Sequence, residues 1–481
     1  MFGKAALACV LVFAALIPSI AKAQAGSVPV SLARMDLDIT VDYENGALAG
    51  TARLRLRNHD ARPVQKIPFQ THRLMEVSAV SDGRRNPVSF SQDVVRFTDW
   101  PSRQVNQVYV NLPRPLAPGD SVDLDVKWNG IVSGYSETGM LYVRDKVDSA
   151  FTILRSETRA FPVVAVPTEK INRSAPRDDF RFSARITVPA YQVVAMGGSL
   201  LRRTESGDKA TYEYRSVNPV QWVNIAIAPY RHIDSNGLHI YYFPADSAGA
   251  VTLNLAAQRA LVRMGEWFGP MGGKLDLPII EIPDGFGSQA SLASGIIQSA
   301  AAFRSNDAIG QLYHELSHLW NARDLDVRSP RWNEGLASFL EDILTEQLDG
   351  WKDRDARAQR YAAWFLQRFD RDSTNLQTPF IQYGEAGKTD WSYGVGYFMF
   401  SALYETIGRE AFNQAIGGYY QKYRNSGGTT REFAEFVIGQ APCDVKPLFD
   451  EWLYSAAWHA RLGKAKQLAD LAHPCTPKAT R

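Results

Sequence analysis

In the run Tyr313-His314-Glu315-Leu316-Ser317-His318, two histidines stand four residues apart, with a glutamate directly after the first. Asn333-Glu334-Gly335 follows downstream. On a helix, side chains at i and i+4 leave one face, so both imidazoles can reach a single metal ion. Glu315 lies beside that face, where it can take a proton from a metal-activated water. Glu334, on a following helix, completes a set of two histidines and one carboxylate with an open fourth position. That donor set favours zinc, so one zinc ion is the expected cofactor and hydrolysis the expected chemistry. The plain alternative is a pair of incidental helix histidines. In a chain with eight His, this pentapeptide arises by chance on the order of once in a hundred such sequences.

Two helices must carry these groups. The first is expected over 307–321, capped by Ser305 or Asn306, with Ile309, Leu312, Leu316 and Leu319 on its buried face. For the second, Ser329 serves as cap, Pro330 suits the first turn and Gly350 ends the helix. That register puts Glu334 in the second turn.

The rest of the chain divides into two patterns. Met35, Leu37, Ile39, Val41 and Tyr43 alternate with polar residues. A turn at Glu44-Asn45-Gly46 follows, and Ala52, Leu54 and Leu56 alternate again, which reads as a hairpin. The same period returns at Val122, Leu124 and Val126, and from Phe180 through Phe182, Ala184 and Ile186 to Val188. Many short alternating runs imply an antiparallel β-sandwich of roughly 200 residues. After Pro244 the spacing turns helical. The segment 251–268 stops at Gly269-Pro270, and one short apolar strand follows at 277–282. The expectation is an α+β multidomain chain with a β domain over 27–235, a mainly helical catalytic domain over 236–465 and a tail over 466–481.

Composition is that of a globular protein, 45% apolar and 22% charged. Lys4, the apolar run 5–17 and Ala21-Lys22-Ala23 form a secretory signal peptide over 1–23, implying a periplasmic or extracellular product. Its removal takes two lysines and no acid, so 53 basic residues against 51 acidic ones become balanced. No basic tract argues for nucleic acid, and no later run is long enough to span a membrane. Cys443 and Cys475 remain in the mature chain. In an oxidising compartment they could pair; two buried thiols are the equal alternative.

At the metal motif the chain resembles the membrane-alanyl-aminopeptidase family of gluzincin metallopeptidases. Trp332-Asn333-Glu334-Gly335-Leu336-Ala337-Ser338-Phe339 matches its L-N-E-G-x-A-S segment, though the gap from His318 to Glu334 is shorter than usual. His-Leu-Trp-Asn at 318–321 is also similar to the related glycyl-aminopeptidases. Arg159-Ala160-Phe161-Pro162 resembles the family's R-A-F-P passage, and Ser392-Tyr393-Gly394-Val395-Gly396 its S-Y-x-K-G passage. The resemblance implies a saddle-like β domain followed by a thermolysin-like catalytic domain. It implies zinc ligands at His314, His318 and Glu334, Glu315 as general base and Tyr393 as donor to the oxyanion. Ser338 and Glu341, at helical spacing from Glu334, are candidates to orient a ligand.

Two departures bear on substrate. The family's G-x-M-E-N motif falls on Gln289-Ala290-Ser291-Leu292-Ala293, so the glutamate that grips a substrate's α-ammonium becomes Leu292. The chain also ends soon after Trp458, where the family carries a further helical domain. The expectation is therefore a zinc metallopeptidase acting on peptides with altered N-terminal anchoring. Glu281, Asp284 and Glu157 are the possible substitute anchors. An endopeptidase or oligopeptidase taking blocked or longer peptides competes with an aminopeptidase, and a zinc-bound non-catalytic binding protein is the reading from another class. His59, His72, His232, His239, His459 and His473 have no ligand spacing.

Overall fold

The computed structural model describes residues 27–175, 179–291, 294–326, 328–383 and 391–476. The expected signal peptide, Leu292 and Ala293 lie outside these residues.

The alternating residues of the first half fold as strands. Val30–Asp42 and Ala47–Asn58 form the expected hairpin, with Met35, Leu37, Ile39, Leu54 and Leu56 buried. Asp42 accepts from the backbone N–H groups of Glu44 and Asn45, and Gly46 takes φ 61°, which closes the turn. The hairpin is the middle of a seven-stranded sheet. Beyond Ala47–Asn58 lie Ser121–Ile131 and then Met75–Asp82; beyond Val30–Asp42 lie Arg181–Pro189, Lys209–Arg215 and Ser199–Ser206. Val30–Asp42 pairs with Arg181–Pro189 in parallel, from Arg34 opposite Arg181 to Thr40 opposite Thr187. The expected purely antiparallel sandwich is thus corrected at its centre. A three-stranded sheet of Val64–His72, Gln104–Leu116 and Phe90–Arg96 packs over it. Ile67, Phe69, Val108 and Val110 share one apolar core with Leu37, Ile39 and Leu54.

The second half is built on a five-stranded sheet ordered Arg231–Ser235, Leu238–Tyr242, Leu277–Ile282, Gly295–Ser299 and Gln289–Ser291. The three inner strands are parallel and the outer pairs antiparallel. Asn236 and Gly237 make the turn of the first hairpin with φ 52° and 82°. The expected border at 235/236 falls in that turn, between two paired strands of this sheet.

Alternation decides what each face of this sheet meets. Leu277, Ile279 and Ile296 pack under the helices. Ile280, Ile282 and Ile297 face the other way, onto Phe151 and onto Ile153, Ala195 and Ala226 of a further three-stranded sheet of the β-rich half. That shared apolar cluster fixes one half against the other.

Six helices matter for the site: α1 (Ser247–Phe268), α2 (Gly310–Ser317), α3 (Trp332–Asp349), α4 (Arg354–Phe369), α5 (Ser392–Tyr423) and α6 (Thr430–Gln440). The expected stop after α1 is present, with Gly269 at φ 80°. Within α5 the apolar run 397–407 ends at Gly408, whose φ of 77° breaks the helix direction. Cys443 and Cys475 form a disulfide with Cα atoms 5.2 Å apart. Among the described residues no helix is long and apolar enough to cross a membrane.

Candidate metal centre

Ile309, Leu312, Leu316 and Leu319 are all buried, as their spacing requires, and Tyr313 joins them. They press one face of α2 into the helical core and leave His314 and His318 on another. Ser305 accepts from Asp307 N–H and so starts the segment as expected. The expected single helix over 307–321 is instead three pieces. A short 3₁₀ turn precedes α2, and His318 opens a second one, His318–Trp320, just past its end. His318 nevertheless keeps helical backbone angles, φ −62° and ψ −16°. The two imidazoles therefore still converge, with ring centroids 5.0 Å apart.

Glu334 arrives from α3. The expected cap Ser329 lies outside that helix, its hydroxyl bonded to Asp324 and accepting from Arg331 N–H. The capping position belongs to Arg331, and Glu334 sits in the first turn rather than the second. From there Oε2 reaches His314 Nε2 at 3.5 Å and His318 Nε2 at 3.4 Å. One atom from each of the three residues lies within 4.8 Å of the others, and among the described residues this is the one such group. Two neutral-capable imidazoles and a carboxylate, each with 13–17% of its side chain exposed, fit a four-coordinate zinc with one open position. The residues present therefore suit the group their motif implies.

The crowding of these groups shifts their charges. Burial works to raise the Glu334 carboxyl, but the facing imidazoles and Arg331 outweigh it and hold it well below the carboxylate range. Glu315 is 8% exposed. Burial raises its carboxyl above the usual value, with His314 and His318 opposing. A buried glutamate beside two imidazoles is harder to ionise than one on the surface.

Partners beyond the three residues hold the rings. Glu341 Oε2 is 3.5 Å from His314 Nδ1, two turns of α3 on from Glu334, so the helical spacing that singled it out places it against His314. Gly310 leaves it room, since a Cβ there would stand 2.9 Å from Glu341 Oε1. Asn321 contacts His318 Nδ1 at 2.7 Å. Ser338 is no second partner, because its hydroxyl donates to the Glu334 carbonyl of its own helix. Asn321 was visible only as the end of the His-Leu-Trp-Asn stretch; its i+3 spacing from His318 was the usable signal.

Tyr393 begins α5 and lies flat against His314, ring centroids 5.9 Å apart and planes 12° apart. It is 42% exposed. Burial of the hydroxyl and the charge of Glu334 push its phenol upward, so it keeps its proton. Two glycines permit this placement. A Cβ on Gly394 would strike the Phe365 ring at 2.6 Å, and one on Gly396 would meet Gly335 Cα at 2.7 Å. Tyr397 is packing with a polar tip, buried and donating to Asp342 Oδ2 at 2.9 Å.

Arg331 is the site residue that motif reading missed. Its Nη2 donates to Glu334 Oε1 at 3.0 Å and to Tyr393 Oη at 3.3 Å. No spacing rule points to an arginine held by backbone shape.

The anchor candidates separate. Glu281 is 0% exposed and Asp284 accepts from Ser299 and from Ala301 N–H. Glu157 keeps partial exposure, bonded by Tyr142 Oη at 3.3 Å and Gln289 Nε2 at 2.8 Å. Gln289 lies on the edge strand Gln289–Ser291, which with Ala290 belongs to the segment aligned with G-x-M-E-N. The remaining histidines are paired elsewhere: His59 with Ser31, His72 with the Ser133 carbonyl, His232 and His239 with Asp234, His459 with Asp370 and His473 with Glu451. A cavity of about 530 Å³ between α4 and residues 462–471 is lined by Leu366, Phe398 and Leu468 among others and by none of the site residues.

No protein-family model matches the chain, and no curated protein matches it in sequence. Solved structures match it in fold. The M1 zinc metallopeptidase of Deinococcus radiodurans is similar with a TM-score of 0.61 at 19% identity, over 89% of this chain and 97% of that one. A mutant form of an M1 zinc metallopeptidase from the same organism, bound to a Tyr-Ser-Ala substrate, gives 0.63 at 19% identity over the same shares. A two-domain M1 zinc metallopeptidase mutant bound to L-arginine gives 0.61 at 19% identity, over 94% of this chain and 99% of that one.

Proposed function

We infer that the chain is a zinc metallopeptidase that hydrolyses peptide bonds, with His314, His318 and Glu334 holding the metal. The observation that carries this reading is the convergence of those three side chains within 4.8 Å, with Glu315 beside them and Tyr393 against His314. The likeness to M1 zinc metallopeptidases supports it at the level of fold, and the mutant bound to Tyr-Ser-Ala makes a peptide the substrate to test.

Zinc, when bound, supplies Lewis acidity at the open position, polarising a carbonyl and acidifying water. Glu315 takes the proton of the attacking water and later hands it to the leaving nitrogen. Tyr393, protonated at neutral pH, donates to the oxyanion that develops on the scissile carbonyl. Glu341 and Asn321 hold the two imidazoles in place.

N-terminal anchoring is altered in this reading. Leu292 replaces the ammonium-gripping glutamate, and a leucine cannot pair with an ammonium. Glu157, partly exposed and bonded by Gln289 of the edge strand, is the candidate substitute should a free amine prove necessary. Export is proposed from the leader sequence, and the Cys443–Cys475 disulfide suits an oxidising compartment. A non-catalytic zinc-binding role leaves Glu315 without work, which favours the enzyme.

The test is a peptidase assay on a peptide library with purified protein, with and without a zinc chelator. Wild type should be active, lose activity to the chelator and regain it with zinc. Glu315→Gln should bind zinc and be inactive. Full activity in Glu315→Gln would end the proposed mechanism.

A further inference from the structure

Arg331 occupies the left-handed region, φ 55° and ψ 40°, at the start of α3. Glycine or asparagine takes that conformation at little cost, whereas an arginine takes it against its own sterics. The backbone is tied down there. Arg331 N–H donates to Ser329 Oγ at 2.9 Å, and the Arg331 carbonyl accepts from Glu334 N–H at 3.0 Å. A strained arginine that persists in a functional site points to its side chain.

That side chain bridges two helices. Nη2 is 3.0 Å from Glu334 Oε1 on α3 and 3.3 Å from Tyr393 Oη on α5. The guanidinium carbon lies 5.5 Å from the Tyr393 ring centroid. The Glu334 carboxylate is thereby divided: Oε1 belongs to Arg331, while Oε2 faces both imidazoles. The last torsion of a glutamate is broad, so without a partner the carboxylate can turn and offer either oxygen or both. Tyr393, partly exposed, has the same freedom about its own torsions once the cation is gone.

We propose that Arg331 is a positioning residue of the hydrolytic site. It makes Glu334 present one oxygen to the metal and holds the Tyr393 hydroxyl beside the reacting centre. This rests on the zinc-peptidase reading above.

The left-handed backbone supplies variants that do not challenge the fold. Arg331→Gly and Arg331→Asn should melt at or above the wild-type temperature. In both, kcat should fall about 10- to 100-fold with KM nearly unchanged, and the zinc dissociation constant should rise about 10- to 100-fold in competition with a chromogenic chelator. Arg331→Lys keeps the charge without the planar fork, so it should restore part of the zinc affinity and little of kcat. At saturating zinc, adding Arg331→Gly to Tyr393→Phe should lower kcat by less than the product of the two single losses, because the two changes share the Tyr393 hydroxyl, while the loss of zinc affinity through Glu334 should remain in full. Wild-type kcat and zinc affinity in Arg331→Gly would overturn the proposal. A change in KM alone would overturn it too, since it would make Arg331 a substrate contact. Glu315→Gln separates the two readings. If it stays active, the hydrolytic mechanism fails. If it is dead while Arg331→Gly is unimpaired, only the role of Arg331 fails.

Discussion

Gly335 and Gly396 touch backbone to backbone. A Cβ on Gly335 would stand 2.3 Å from Gly396 Cα, and one on Gly396 would stand 2.7 Å from Gly335 Cα. Gly335 follows Glu334 and Gly396 lies one helical turn past Tyr393, so this contact sets the distance between a proposed metal ligand and the proposed oxyanion donor. It also gives the Ser392-Tyr393-Gly394-Val395-Gly396 run a physical reason that does not depend on the valine.

Gly335→Ala should therefore separate α3 from α5. Overpacking of this kind costs about 1–3 kcal/mol, visible as a lower melting temperature. Because Glu334 and Tyr393 move apart with the helices, kcat should drop at least about tenfold, as misplacement of catalytic groups requires. An alanine variant with wild-type melting and turnover would show that the helices part without disturbing the site.

Tyr393→Phe should leave zinc affinity and KM close to wild type and lower kcat by about 10²–10³-fold, the usual cost of one oxyanion donor. The stacked contact with His314 survives in phenylalanine, so the change isolates the hydroxyl. Steady-state kinetics with equal zinc loading checks this, and an unchanged kcat would remove Tyr393 from the mechanism.

Peptides acetylated at the N-terminus should be cleaved at least as well as free ones if, as proposed, Leu292 stands where the family's ammonium-gripping acid would be. Paired substrates differing only in the acetyl group give the answer. If only free amines are cut, Glu157 becomes the anchor, and Glu157→Gln should then raise KM for them.

Stability should fall as pH rises from about 4.5 to about 8. Glu281 is 0% exposed on the strand Leu277–Ile282, and burial pushes its carboxyl up to about 8; neighbouring Asp246 adds to that rise, while Phe243 N–H and Arg304 oppose it. The folded chain then holds a proton that the unfolded chain releases near its ordinary value. Through that window the native state binds more protons, so each rise in pH favours unfolding. The loss should reach about 2–4 kcal/mol by pH 8. Glu281→Gln can still accept from Phe243 N–H, and its pH profile should be flatter. Parallel profiles for the two proteins would rule Glu281 out as the source.

The proposed ligands were legible because their geometry is local: one helical turn brings His314 and His318 together, whatever the rest of the chain does. The strand Leu277–Ile282 and the end of α1 were legible for the same reason. Arg331 was not, since its place depends on a left-handed residue that the Ser329 hydroxyl and Asp324 stabilise from outside the helix. The same competition misplaced the cap, because Ser329 reads as a helix starter by type and is used as a loop partner. Nor could alternation show the parallel pairing of Arg34 with Arg181. A strand's period says which face is buried, not which strand lies alongside.

That pairing has a consequence for how the molecule comes into being. Val30–Asp42 stands mid-sheet between Ala47–Asn58 and Arg181–Pro189. During synthesis its hairpin partner emerges at once, while its other flank waits until residue 189 is translated. Until then the nascent chain carries a long unpaired strand edge, the kind of template on which copies of a chain adhere. Chaperone capture, if it operates on this protein, should be concentrated on that interval.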